Sequence, residues 1–474
     1  MRLAPSLRLA GFFFCLELAS QVCGGAAAQA SKPAPAATPL RAPDERYKVD
    51  ILLVVAHPDD EGAATAYLAR AMDEGKRVAV VYGTRGSSGA NEVGAEQAAA
   101  LGAIREIEAR RALSQLGIAD VWFLDGKDTA SQNVLQSLSN WNHGETLQQL
   151  VRLMRLTRPE VVLTFLPGTF IGEDHGDHQA SGVLATEAFD MSGDPVTFSE
   201  QLAGATRRLE PLLDNLRPWQ PKKIYYFADA DKEEIFKGLG PAYSVKELSK
   251  SNKHAYWRIA LDGYLAHETQ SRAMAESLKG MSDAALEKLM TTEGYWSDSL
   301  RFVLGKSLVG GAATGDVFEN GSGEPIPFRR PEVGAEPQKP ELFVELGGPW
   351  SFYAEFRRAH RLTHLPHPEP PEIALQVGTT LVIPLWVRNQ TSAAQGITLS
   401  AELPSGWTVQ SGTGEFSVAA KQTAAARVEV ALPGTTEGAK KNESQEITVH
   451  AESGGHSIGD VRLRVELRKR SLPQ

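Results

Sequence analysis

The sequence predicts two folded units in series: a doubly wound, mostly parallel α/β sheet, then an all-β sandwich. Three observations predict this. Short apolar runs alternate with helix-compatible stretches between residues 50 and 227. A proline-dense segment, Arg361 to Glu372, then interrupts the chain. Beyond it come β-branched runs that alternate with polar residues and are separated by turn signals such as Pro404-Ser405-Gly406. Uninterrupted apolar runs suit strands buried on both faces of a parallel sheet, whereas alternation with regular turns suits a sandwich. A chain of 474 residues also exceeds one ordinary hydrophobic core.

Residues 1 to 30 read as an export signal. Arg2 and Arg8 precede an apolar run from Leu9 to Leu18, and Ala28-Gln29-Ala30 supplies an A-x-A cleavage pattern. The run is shorter than the roughly 20 residues a membrane span needs, so no transmembrane segment is expected in the mature chain. The expected destination is the periplasm or the medium. Both cysteines, Cys15 and Cys23, lie in this segment, which removes disulfides and thiolate metal ligands from the mature chain. Residues 31 to 46 read as a Pro/Ala linker.

The α/β unit is expected over residues 47 to 290. Strands are read at Asp50 to Ala56, Arg77 to Tyr82, Val121 to Leu124, Glu160 to Leu166 and Lys223 to Phe227. Helices are read at Glu61 to Glu74, Gly94 to Leu116, His143 to Thr157 and Gln179 to Met191, and again from Tyr256 to Leu289. Right-handed crossovers then place helices on both faces of a Rossmann-like sheet, whose ligands bind at the carboxyl ends of strands. Residues 291 to 372 read as an extension ending in the Pro-rich linker, with no element assigned between 300 and 345. Residues 373 to 470 are the sandwich, with strands at Thr379 to Val387, Ile397 to Leu403, Ala424 to Ala431, Glu446 to Ala451 and Val461 to Leu467.

Composition narrows the function. Apolar residues at 42% and charged residues at 23% describe globular protein. A formal net charge of −9 argues against nucleic acid as a partner, because phosphate neutralisation calls for a basic face. The chain also lacks a dinucleotide fingerprint after its first strand and a P-loop.

Two clusters carry chemistry, each just after a strand. Ala56-His57-Pro58-Asp59-Asp60-Glu61 follows the first strand, and Glu173-Asp174-His175-Gly176-Asp177-His178 follows the fourth. Imidazole and carboxylate suit zinc, and three such ligands leave a position open for water. His57 and Asp60, three apart on a turn, can converge on one ion; the second cluster brings the third ligand. Asp59 is then left over as a general base, and either His175 or His178 is left over to stabilise an oxyanion. Asp177 stands between those histidines, able to hydrogen-bond one of them and hold it cationic.

This pairing resembles the PIG-L/LmbE family of zinc-dependent N-deacetylases. The first family motif is complete at Ala56 to Glu61, and its H-x-D-H motif is His175 to His178. Thr84-Arg85-Gly86, the helix carrying Arg105, Glu108 and Ala112, and Leu265-Ala266-His267-Glu268-Thr269-Gln270 also match. The resemblance implies His57, Asp60 and His178 as metal ligands, with zinc as the metal and ferrous iron the alternative. It implies Asp59 as general base, His175 as oxyanion stabiliser with Asp177 tuning it, and Arg85, His267 and Gln270 as substrate contacts. The implied reaction removes the acetyl group from an N-acetylglucosamine-type sugar or glycoconjugate. Alternatives are a non-catalytic carbohydrate-binding protein on the same scaffold, and a metal amidase acting on a non-sugar N-acyl compound. Departures from the family are Gly176 in place of Pro, Thr269 in place of Ser, the added charges of Glu173 and Asp174, and an insertion at 192–221.

The sandwich resembles the immunoglobulin-like modules found beside carbohydrate-active domains, which implies contact with a glycan surface. His360, His364 and His367 sit among prolines and read as linker residues.

Overall fold

The computed structural model describes residues 44–168, 175–202, 216–228, 236–292, 298–335, 338–435 and 444–468. The residues expected to form an export signal, most of the expected first linker, and Glu173 and Asp174 lie outside the described residues. Among the described residues, no helix is long and apolar enough to cross a membrane.

The first unit runs β1 (Ile51–Val55), α1 (Gly62–Asp73), β2 (Val78–Tyr82), α2 (Ala98–Ser114) and β3 (Asp120–Phe123). It continues with α3 (Val134–Asn140), α4 (His143–Thr157), β4 (Val161–Phe165), α5 (Gly176–Met191) and β5 (Lys223–Phe227). A short hairpin-like pair, β6 (Ala242–Ser244) and β7 (Ser299–Arg301), brackets α6 (Tyr256–Tyr264), α7 (Glu268–Leu278) and α8 (Asp283–Thr291). β8 (Val303–Ser307) closes the main sheet, whose order is β3-β2-β1-β4-β5-β8. All its pairings are parallel except β5 with β8.

Every residue of β1, β2, β4 and β5 is buried, as apolar runs covered on both faces require. Strand order reverses between β1 and β4, which run side by side from Ile51 opposite Val161. The crevice outside their carboxyl ends is where a doubly wound sheet binds its ligand. Helix α5 presses directly onto β4. A Cβ at Gly182 would lie 2.3 Å from the Phe165 carbonyl oxygen, so only glycine permits this approach.

The helix expected from Tyr256 to Leu289 is three helices. One break falls at Leu265 to His267, the other at Gly280, whose φ is +81°. Helix α2 also starts later than expected, at Ala98.

The segment read as an extension is structured. β9 (Leu342–Leu346) leads into α9 (Gly348–Ala359), whose Tyr353 and Phe356 enter the α/β core beside Leu362 and Leu365. The sandwich adds β10 (Glu372–Gln376), β11 (Thr380–Asn389), β12 (Gln395–Glu402), β13 (Thr408–Ser411) and β14 (Gly414–Val418). It ends with β15 (Gln422–Ala431), β16 (Ser444–Ser453) and β17 (His456–Arg468). Its two sheets are ordered β10-β17-β16-β12-β14 and β13-β15-β11-β9. The five strands read from the sequence are the long ones. Each of the other four is an edge strand, short and partly exposed, where alternation is weak.

Candidate metal centre

The turn after β1 is knotted by its own hydrogen bonds. Asp60 Oδ2 accepts from the backbone N–H groups of His57 (2.6 Å) and Ala56 (3.0 Å). Asp59 N–H donates to Glu61 Oε2 at 3.0 Å, and Gln270 Nε2 donates to the Pro58 carbonyl at 2.6 Å. These bonds hold Asp59 at φ 110°, a conformation that costs a residue with a Cβ about 1–3 kcal/mol and persists only where its surroundings enforce it.

Helix α5 begins at the facing strand end. His175 caps it, and Asp177 and His178 occupy its first turn. His178 stacks on Phe165, the last residue of β4, with ring centroids 4.2 Å apart. Its Nε2 lies 3.1 Å from Asp60 Oδ1, while His57 Nδ1 lies 3.4 Å from Asp60 Oδ2. Ligand atoms at zinc bond lengths in a tetrahedron are separated by about 3.3–3.4 Å, and these two separations, one through each Asp60 oxygen, are close to that spacing. His57, His175 and His178 also bring ring nitrogens within 4.8 Å of one another.

The far side of His57 is occupied. Its Nε2 lies 3.2 Å from Asp177 Oδ2 and 3.3 Å from Asp128 Oδ1. A proton on Nε2 shared with these buried carboxylates leaves the Nδ1 lone pair for a metal, the usual way a ligating imidazole is oriented. Asp128 is itself fixed by the Ser88 N–H at 2.6 Å, and Asp177 by the Thr129 N–H at 2.9 Å.

The electrostatics follow from burial and these neighbours. Burial opposes charge on His57, but Asp60, Asp128 and Asp177 outweigh it and raise its pKa well above 6.5. Burial likewise pushes the Asp60 carboxyl up, yet the facing His178 and His57 hold it well below its ordinary range. At Asp59, burial and the Asp60 charge prevail over the nearby His267 and His57 and lift its pKa to about 7. Burial, with His57 and His178 beside it, depresses His175 to about 4.

The structure thus brings His57, Asp59, Asp60, His175, Asp177 and His178 into one crevice. Asp177 hydrogen-bonds His57 and the Thr129 amide, and its charge also raises the pKa of His175 against the burial that lowers it. One expectation needs correction. His267 and Gln270 face the turn and not the cleft. His267 has no exposed surface and its Nε2 lies 2.5 Å from Glu61 Oε1; both residues brace the turn from behind. Arg85 sits at the rim, where it pairs with Glu106 at 2.9 Å and lies over the Phe123 ring. Thr269 donates to Glu108, and Gly176 donates its N–H to the Ser131 carbonyl at 2.6 Å, a bond proline would lack. His360, His364 and His367 turn to separate partners, Asp190, the Leu304 carbonyl and Glu369.

Asp128 and the Glu61–His267 pair were missed from the sequence. Asp128 follows β3, so the strand-end rule that found the other residues also points to it. Nothing local marks His267 as the partner of Glu61.

Comparison with known proteins agrees with this arrangement. The family model described as PIG-L, GlcNAc-PI de-N-acetylase, matches residues 52–189. That described as the NPCBM-associated NEW3 domain of alpha-galactosidase matches residues 376–465. The 1D-myo-inositol 2-acetamido-2-deoxy-alpha-D-glucopyranoside deacetylase of Thermobifida fusca is 27% identical over 52% of this chain and 91% of its own. Its counterpart 1 from Catenulispora acidiphila is 30% identical over 52% of this chain and 78% of its own. Among solved structures, N,N'-diacetylchitobiose deacetylase from Pyrococcus horikoshii matches at 20% identity and a TM-score of 0.37, over 54% of this chain and 83% of that one.

Proposed function

The chain belongs to the PIG-L, GlcNAc-PI de-N-acetylase, family, and we propose that it is a metal-dependent N-deacetylase of an N-acetylglucosamine-type sugar or glycoconjugate. The products are acetate and the free amine. The observation that carries this reading is the Asp60 carboxylate, which faces His57 on one side and His178 on the other while Asp59 beside it is left unused. The names of the relatives, which act on a 2-acetamido-2-deoxyglucose unit, support the same substrate class.

His57, Asp60 and His178 would hold the metal, with zinc the first candidate and ferrous iron the second. When bound, such an ion lowers the pKa of water to about 7 and polarises a carbonyl oxygen. Asp59 takes the proton of the attacking water, and the rigid turn keeps its carboxylate beside the ligand set. His175, its ring 4.8 Å from that of His57, donates to the acetamide oxygen as charge gathers there. Asp128 and Asp177 fix the His57 ring. Arg85 is assigned to substrate at the rim.

Export is part of the proposal, with cleavage after Ala30, as is contact of the sandwich with a glycan surface. The test is acetate release from a panel of N-acetylated sugars and N-acyl amines by metal-loaded protein, with metal content measured alongside. Release from N-acyl amines but not from sugars overturns the substrate class; a metal-loaded chain inert on both overturns the reaction. Mass spectrometry of the amino terminus of secreted protein tests the cleavage.

A further inference from the structure

Two of the hydrogen bonds that tie the sandwich and α9 to the α/β unit end on elements that carry metal-centre residues. The first meets the edge strand β10. Gln132, in the loop between β3 and α3, donates its Nε2 to the Ala374 carbonyl at 2.9 Å. An edge strand leaves backbone groups without a ladder partner, and this bond covers one of them. The second runs through α9. The Gly347 N–H donates to the Pro384 carbonyl at 2.8 Å and Trp386 Nε1 donates to Ser351 Oγ at 3.1 Å, which fastens the start of α9 to β11. From the same turn of α9, Tyr353 donates its hydroxyl to Gln179 Oε1 on α5, and both residues are buried.

The first bond leads to His57. Gln132 shares its loop with Asp128, whose Oδ1 is 3.3 Å from His57 Nε2, and with Thr129, whose N–H donates to Asp177. The loop between them is held at several points. Ser88 donates its N–H to the Asp128 carboxylate at 2.6 Å and its hydroxyl to the Asp128 carbonyl at 2.9 Å. The Ser131 carbonyl accepts from the Gly176 N–H at 2.6 Å. A Cβ on Gly176 would lie 2.9 Å from that carbonyl oxygen, so the loop rests directly on the first residue of α5. The second bond leads to His178. Gln179 follows it in the first turn of α5 and has no exposed surface. A close-packed interior passes a shift of one such residue on to its neighbour.

We propose that Gln132 and Tyr353 are positioning residues, through which the docked sandwich and α9 hold His57 and His178 in place for the metal. The inference rests on the assignment of those histidines as ligands in the reading above. Gln132 acts through the loop of Asp128 on the orientation of the His57 ring. Tyr353 acts through Gln179 on the start of α5. Neither side chain touches the metal or the substrate. The carboxylate behind a ligating imidazole tunes metal affinity, and Gln132 fixes the loop that presents it. A sandwich that served only as a tethered module would need neither bond.

The test uses the full chain with Gln132→Met and Tyr353→Phe, each of which removes the donor and keeps most of the side chain. Zinc affinity is measured by competition with a chromophoric chelator, at a temperature where circular dichroism shows the metal-free variants folded. The visible d–d bands of the cobalt-substituted protein report the geometry of the ligands. Each substitution is expected to weaken zinc binding about fivefold, the equivalent of one hydrogen bond, and to shift the cobalt bands. The pair is expected to weaken it about 25-fold, since the two routes lead to different ligands. Leu135→Ala on α3, exposed and on neither route, is expected to keep the parental affinity and bands. Parental affinity and bands in both Gln132→Met and Tyr353→Phe overturn the proposal, and so does an equal loss in Leu135→Ala. A parent chain that binds no zinc overturns the ligand assignment itself, a failure distinct from normal zinc binding that neither substitution alters.

Discussion

Asp128 Oδ1 lies 3.3 Å from His57 Nε2, so the loop after β3 holds the imidazole that ends β1. Asp177 reaches the same nitrogen from α5, and three strand ends therefore meet at one ring. An imidazole pinned in this way has its other nitrogen aimed without cost in rotamer freedom at the moment of metal binding.

Replacing Asp128 by Ala should weaken metal binding about 10–100-fold, the usual cost of removing the carboxylate behind a ligating histidine. Competition with a chromophoric chelator measures this. An unchanged metal affinity would show that Asp177 alone orients His57.

Asp59→Ala should lower turnover about 10²–10⁴-fold, the range for losing a general base, while metal content stays near that of the parent chain. His178→Ala should do the reverse and lose the metal. Parallel assays of acetate release and metal stoichiometry check both. Full activity in Asp59→Ala would assign the proton to another group.

His267→Ala should destabilise the fold by about 3–5 kcal/mol, because it leaves Glu61 buried without its partner. Urea unfolding of the metal-free chain is the measurement. A loss below about 1 kcal/mol would mean that solvent or a shift of the turn replaces the imidazole.

Metal binding and proton binding compete at His57. Its raised pKa stabilises the metal-free fold fully below about 6.5, and that contribution fades as pH rises through the raised folded value. The ion needs the neutral ring, so metal affinity should fall as pH drops below that same value. Melting curves of chelated and metal-loaded protein between about pH 6 and 9 should therefore draw apart as pH rises. A separation that does not change with pH would mean that His57 carries no displaceable proton.

The sheet was legible because five apolar runs leave no other burial. The candidate ligands were legible because His57, Asp60 and His178 fall at strand ends that a doubly wound topology brings together. The short edge strands and α9 were not, since their pattern is weak until the sheet or helix they cover is in place. His267 shows the same limit at the site: its role depends on a contact with Glu61, which only the packing of α7 behind the first turn creates.

By itself, then, the sequence determined the alternation of strands and helices, the positions of both motifs after their strands, and the residue types able to hold a metal. Those are local properties, set by periodicity and by side-chain chemistry. Tertiary structure alone decided that Asp177 bonds His57 and that His267 and Gln270 brace the turn from behind. Each of these depends on which surfaces meet across long sequence separations, and burial, which no local pattern encodes, selects among them.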